Sequence, residues 1–180
     1  RAYYALISSP RINSKGWNTS AIYGFVNTLE DVLKHENPDF IAISFDPSGK
    51  TFRHEAYDSY KAQREATPED IRFAVPYIKE IIRAYNIPIL EVKGFEADDV
   101  IGPVAKQLAS PDVLVEMITP DKDYAQLVDA HIVMLRPARG AAPMERLGVD
   151  EVCEKYGLST PSQVIDYLGL MGDASDNVPG

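Results

Sequence analysis

Cysteine is nearly missing from this chain: Cys153 stands alone. No internal disulfide can form, and a reducing compartment is the natural setting. Long apolar runs are missing too; none approaches the roughly 20 residues that a membrane-spanning helix needs. There are no internal repeats and no low-complexity tracts, which excludes solenoids and linker-like chains. His35, His54 and His131 fall in no metal-ligand spacing, which argues against a histidine-built zinc centre. Positive charge is also short. Eighteen Lys and Arg against 27 Asp and Glu give a net charge of −9. Taken alone, that argues against a nucleic-acid binder, because phosphate neutralisation needs Lys and Arg.

What the chain does have is acid in a pattern. Its 180 residues suffice for one domain with a real core. Eight acids fall in four short clusters: Asp46; Glu96, Asp98 and Asp99; Asp121 and Asp123; Asp173 and Asp176. Carboxylates brought together repel, and a fold tolerates them best when a hard divalent cation neutralises them. Oxygen-only ligands suit Mg²⁺ or Mn²⁺, and paired Mg²⁺ ions suit in-line attack on a phosphodiester. Such ions would cancel much of the acidity. The basic residues are concentrated as well: Lys50, Arg53, Lys61 and Arg64 share one stretch, opposed there by Glu55 and Asp58.

The periodicity predicts alternating strands and helices. Asn18-Thr19 caps a helix whose apolar face carries Ala21, Ile22, Phe25, Val26, Leu29, Val32 and Leu33. Phe40 to Phe45 reads as a buried parallel strand ending at Asp46. Thr67 reads as an N-cap with Pro68 at the first helical position, opening a helix that Asn86 and Pro88 stop. Ile89–Val92 is a short strand leading to a helix that begins near Glu96, with Pro103 inside it. Val113–Ile118 and Ile132–Leu135 are further strands, and Thr160-Pro161 caps a last helix ending near Gly172. The pattern predicts an α/β fold with a mostly parallel sheet flanked by helices. Ligands of such folds bind beyond the carboxyl ends of the strands. Asp46, Glu96 and Asp121 each follow a predicted strand, so the topology should gather the clusters at one edge.

Six segments carry a family resemblance. They are Phe45-Asp46-Pro47, Phe52-Arg53-His54-Glu55, Tyr60-Lys61-Ala62-Gln63-Arg64, Glu96-Ala97-Asp98-Asp99-Val100-Ile101-Gly102, Asp121-Lys122-Asp123, and the run from Leu170 to Gly180. In this order they resemble the 5′-nuclease (5′→3′ exonuclease, flap endonuclease) domain of bacterial DNA polymerase I. The resemblance covers essentially the whole chain. It implies a PIN-like (resolvase-like) fold with a helical arch at about residues 50–72, in one catalytic domain over residues 1–180. It implies Mg²⁺-dependent cleavage of 5′ flaps and RNA primer ends in replication and repair by two ions, which Mn²⁺ should replace. Asp46, Glu96, Asp98, Asp121 and Asp123 match inner metal-site acids, Asp99 a supporting acid, and Asp173 and Asp176 the second-site acids. Lys61 and Arg64 match basic residues of the arch through which a 5′ single strand passes, and Arg53 matches one at its start. The implied partners are DNA with a 5′ flap or RNA primer end and a polymerase domain in the same longer chain, with no membrane. The implied location is cytoplasmic, nucleoid-associated on DNA. The family opens with an apolar strand ending in Asp, and helix-hairpin-helix follows at the other end; the chain is expected to be truncated at both. Pro120 stands where the family commonly has Gly.

Ordinary roles remain open for each element. Asp46 can cap or turn, Glu96 to Asp99 can complement a helix dipole, Asp121 to Asp123 can form a turn and N-cap, and Asp173 to Asp176 an Asx turn. The last lacks the Gly and distal Glu of a calcium loop. Lys61 and Arg64 can be a solvated face. Cys153 fits the apolar pattern of Val149, Val152 and Tyr156, so it reads as core. Trp17, Tyr3 and Tyr4 read equally as packing or as stacking surfaces. Two other functions stay in view: a fragment that binds flaps without cutting, and a Mg²⁺-dependent small-molecule phosphotransfer enzyme with an Asp nucleophile after a strand.

Overall fold

The structure is a computed structural model that describes residues 2–137 and 144–180. In chain order the elements are α1 (Ala2–Ala5), α2 (Ser20–His35), β1 (Ile43–Ser44), α3 (Phe52–Ala56), α4 (Glu69–Ala84), β2 (Ile89–Leu90), α5 (Ala97–Leu108), β3 (Val115–Ile118), a 3₁₀ segment Lys122–Leu127, β4 (Ile132–Arg136), β5 (Glu145–Leu147), α6 (Val149–Tyr156), a 3₁₀ turn Pro161–Gln163 and α7 (Val164–Met171). No helix among the described residues is long and apolar enough to cross a membrane. The chain divides into two compact units. One runs through Phe45 and includes Glu65–Leu90; the other joins Asp46–Arg64 to Glu91–Gly180.

In the first unit, α2 and α4 bury Ala21, Leu29, Ala74, Ile78 and Ile82 in one core with Ile87. Ala21 and Leu29 belong to the α2 face that the helical period predicts, and Ile78 and Ile82 to the predicted stripe of α4; Ala74 is buried there in place of the expected Val75, and Tyr85, also expected on the stripe, is 41% exposed. Asn18 fixes the entry to α2 by accepting from the Ser20 N–H at 3.1 Å, while Thr19 makes no side-chain cap. The start of α4 differs by one residue from the expectation, because Pro68 is itself the N-cap. Asp70 in the first turn accepts from Asn18 Nδ2 at 2.8 Å and from the Tyr3 hydroxyl at 3.3 Å. Asn86, at φ 57°, ends the helix as expected.

The strand expected at Phe40–Phe45 shrinks to Ile43 and Ser44, paired in parallel with Ile89 and Leu90 of β2. Phe40 is 94% exposed. Among the described residues the ladder pairs only these two positions, so no strand partner holds Phe40 in the sheet, although Ile41 still packs on the core.

The second unit holds a mixed sheet in the order β3-β4-β5. β3 and β4 are parallel, with Val115 opposite Ile132, and β4 and β5 are antiparallel, with Met134 opposite Leu147. β4 lies between two partners, and Ile132 to Leu135 are all buried. That explains its unbroken apolar run. β5 was not expected: of Glu145, Arg146 and Leu147, only Leu147 is buried, so the pattern is too short to signal a strand. Met117, Tyr124, Val128, Val152 and Val164 complete the core. Cys153 is half-buried on α6 beside the fully buried Val152. Gly102 lets α5 approach the 3₁₀ segment closely: a Cβ there would meet Leu127 Cδ1 at 3.4 Å. Pro103 lies within α5 without ending it.

Candidate active site

Every acid picked out from the sequence belongs to the second unit, where local backbone chemistry positions it. The N-terminus of α5 gathers four. Glu96 is its N-cap, and the Glu96 N–H donates to Asp99 Oδ2 at 2.9 Å. Asp46 Oδ1 accepts from the Ala97 N–H at 2.7 Å, and Asp98 Oδ1 from the Asp99 N–H at 2.9 Å. Unsatisfied N–H groups and the positive end of the dipole make this terminus a natural seat for acids. Asp121 caps the 3₁₀ segment after β3, accepting from the Asp123 N–H at 3.1 Å. Gly172, at φ 65°, turns the chain out of α7 into a loop closed by reciprocal bonds between Asp173 and Val178, both 2.9 Å. Asp173 Oδ1 then accepts from the Ser175 N–H at 2.8 Å and from Ser175 Oγ at 2.6 Å.

These local roles coexist with convergence. Burial raises the Tyr124 phenol pKa, and the charges of Asp98, Asp121, Asp46 and Asp99 raise it further. Burial raises the Asp123 carboxyl, and Asp121, Asp173 and Asp176 add to it. Glu96 in turn acts on Asp98. All eight acids therefore share one electrostatic neighbourhood.

Four cations enter it. Arg53 forms a bidentate pair with Asp99 at 2.6 and 2.7 Å. Lys61 Nζ donates to Glu96 Oε1 at 2.7 Å, and the Tyr60 hydroxyl donates to Glu96 Oε2 at 2.9 Å. Arg64 donates to Asp176 Oδ1 at 2.5 Å. Lys122 Nζ lies 3.3 Å from Asp173 Oδ2. Lys61 adopts a left-handed backbone, φ 55°, and its N–H bonds the Asp176 carbonyl at 3.1 Å. Tyr57 and Asn177 add two more links between residues 57–64 and the 172–178 loop.

The acids fall into two classes. The hydrogen bond from Arg53 holds the Asp99 carboxyl below its usual range against the opposing effect of burial. Burial pushes Glu96 up, but Lys61 and Tyr60 outweigh it and lower its pKa. Ser175 and Lys122 pull Asp173 down to about 2 despite its partial burial. Asp98 and Asp123 behave oppositely: burial first, then the neighbouring carboxylates Asp99 and Asp121, raise both. Asp46, Asp98, Asp121 and Asp123 enter no salt bridge among the described residues. A cavity of about 440 Å³ opens beside Asp98 and Asp123, lined also by Arg53, Lys106 and Gln126.

The donor chemistry fits a hard divalent cation: oxygen ligands only, with two half-buried carboxylates that enter no salt bridge among the described residues. Among the described residues, no three His, Cys, Asp or Glu side chains converge tightly enough to hold a metal ion in this geometry.

A family profile decides the relationship. The profile described as 5′-3′ exonuclease, N-terminal resolvase-like domain, matches residues 1–157. The chain belongs to this 5′-3′ exonuclease family. It is 41% identical over 180 residues to DNA polymerase I of Bacillus caldotenax, covering 99% of this chain and 20% of that protein. It is 39% identical to the 5′-3′ exonuclease of Aquifex aeolicus, covering 100% of this chain and 60% of that protein. This exonuclease-family chain thus spans about a fifth of the polymerase it matches. Its fold is that of a bacteriophage T5 flap endonuclease solved as a pseudo-enzyme-product complex with DNA and metal ions, at TM-score 0.71 and 20% identity, over 97% of this chain and 65% of that one. The α/β, PIN-like fold is therefore established.

Sequence reading passed over two residues of the site. Tyr60, 8% exposed, donates to Glu96, and Lys122 pairs with Asp173. Both sit inside motifs the sequence displays, next to Lys61 and between Asp121 and Asp123. Their positions were signal enough; their partners, 36 and 51 residues away in the chain, were not readable.

Proposed function

We propose that this chain is the catalytic domain of a structure-selective 5′ nuclease that hydrolyses phosphodiesters at 5′ flaps and RNA primer ends. In this reading it works in replication and repair, in the cytoplasm, as part of a longer DNA polymerase I chain. The observation that carries the proposal is the collection of all eight acids in one compact unit, four of them at the N-terminus of α5, with Arg53, Lys61 and Arg64 paired to Asp99, Glu96 and Asp176.

Asp46, Glu96, Asp98, Asp121 and Asp123 would hold a first Mg²⁺ ion with Asp99 in support, and Asp173 and Asp176 a second. Bound there, the ions would supply an activated water and neutralise the leaving oxygen. The protein's own part is electrostatic. Lys61 and Arg64 hold the scissile phosphate by charge, without reading base edges, so selection follows substrate structure. Arg53 keeps Asp99 ionised through its bidentate pair. Tyr60 orients Glu96 by donating to one of its two oxygens.

The test is Asp121→Asn, assayed on a labelled 5′ flap in Mg²⁺. A loss of about a hundredfold or more is expected for a residue of this kind. Unchanged cleavage would sink the assignment.

A further inference from the structure

Asp173 has one oxygen to spare. Oδ1 already accepts from the Ser175 N–H at 2.8 Å and from Ser175 Oγ at 2.6 Å. Oδ2 faces Lys122 Nζ at 3.3 Å. Any cation that binds Asp173 therefore needs the oxygen at which Lys122 stands. Asp176 is similarly engaged, by Arg64 at 2.5 Å on Oδ1 and by Lys61 at 4.0 Å on Oδ2. The pair thus meets three side-chain cations, whereas Asp98 and Asp123 enter no salt bridge among the described residues.

The three cations are not equally replaceable. Lys61 is 18% exposed and is also held by Glu96 at 2.7 Å. Arg64 has a second partner in the Ser175 carbonyl at 3.3 Å. Lys122 is 46% exposed and carries a compact ammonium on a flexible stem. It can swing into solvent without uncovering a buried charge.

We propose that Lys122 is the built-in counter-ion of Asp173, and that a divalent cation binds the Asp173–Asp176 pair by exchange, expelling the Lys122 ammonium. The ammonium takes one lone pair of Oδ2 and places a positive charge where the cation must come, so each disfavours the other there. Like charges at such separations repel appreciably even near a protein surface. Lys122 therefore sets the affinity of the pair, keeping it satisfied when divalent ions are scarce and weakening their capture. This inference rests on the metal-dependent reading above.

The experiment is calorimetric titration of Mn²⁺ into the chain, its Lys122→Met variant and an Arg146→Met variant. Arg146 is 49% exposed and pairs with Glu116 and with none of these acids among the described residues, so it controls for net charge. Lys122→Met is expected to bind Mn²⁺ about three- to tenfold more tightly, the scale of one exposed ion pair plus one relieved repulsion. Arg146→Met should bind as the parent does. Adding Asp173→Asn to Lys122→Met should erase the gain. Equal affinity in parent and Lys122→Met, weaker binding in that variant, or equal tightening in Arg146→Met each overturns the exchange. Absence of Mn²⁺ binding to both parent and Lys122→Met overturns the metal-dependent reading itself, and the exchange with it.

Discussion

Asp98 and Asp173 sit in the same unit and belong to the same acidic neighbourhood, yet the protein treats them oppositely. Asp98 lies at the N-terminus of α5, where burial and Asp99 raise its pKa. Asp173 lies in a surface loop, where two Ser175 donors and Lys122 lower its pKa to about 2. Asp123 goes with Asp98; Glu96 and Asp99 go with Asp173. The difference shows how a chain of net charge −9 can collect eight acids and still fold. Half of the cluster is neutralised by the protein's own cations, drawn from residues 53–64 and from Lys122. Asp98 and Asp123 are left under strain, and that strain is what a divalent cation would relieve.

The sharpest way to break the comparison is to move Asp99 from one class to the other. Arg53→Met removes both bonds to a carboxylate that is 16% exposed. It is expected to lower metal-free stability by about 2 kcal/mol in urea unfolding, since a half-buried charge loses its partner. Next is the opposite change. Asp98→Asn removes a repelled charge and should raise metal-free stability, by less than Arg53→Met lowers it, in the same urea unfolding. A loss there would mean that Asp98 is not strained.

Acid titration separates the classes by sign. The raised pKa values of Asp98 and Asp123 mean that the folded chain binds protons before the unfolded one. Their penalty is complete at neutral pH and is relieved as pH falls through the folded values toward about 3.9. Asp173 works the other way: its contribution is present above about 3.9 and fades as pH falls toward its folded value of about 2. Asp98→Asn should flatten the upper limb of the stability–pH curve relative to the parent, and Asp173→Asn the lower. If either variant alters the other's limb instead, the division into classes is wrong.

The smallest expected effect lies outside the cluster. Lys106 and Asp129 pair at 2.7 Å with both side chains nearly half exposed. Partial burial raises the Asp129 pKa, but Lys106 and the His131 N–H outweigh it and hold it low. Solvent screening should limit Lys106→Met to a few tenths of a kcal/mol, vanishing once pH falls below the folded value of Asp129. A cost approaching that of Arg53→Met would show that exposure does not decide the worth of these pairs.

Much of this was legible in the chain. α2, α4 and α5 follow from apolar residues at helical spacing, and β4 from an unbroken apolar run that its burial explains. The acids were identifiable because four clusters fall beside turns and helix starts. The same side chains also serve as ordinary caps: Asp121 on Asp123, Asp99 on Glu96, Asp173 on Ser175. A sequence shows an acid at a cap position but cannot show whether it caps, binds or does both. β5 and the shortened β1 were not legible, because a strand of two or three residues is defined by its neighbour and not by its own pattern.

The sequence by itself determined the family, the main helices and strands and which residue types could carry the chemistry, because periodicity, capping and motif spacing are local properties. Only the tertiary structure decided which acid meets which cation. Arg53 reaches Asp99 across 46 residues, Lys61 reaches Glu96 across 35 and Arg64 reaches Asp176 across 112. Coulombic and hydrogen-bond energies depend on separation in space, and folding sets that separation without regard to distance along the chain.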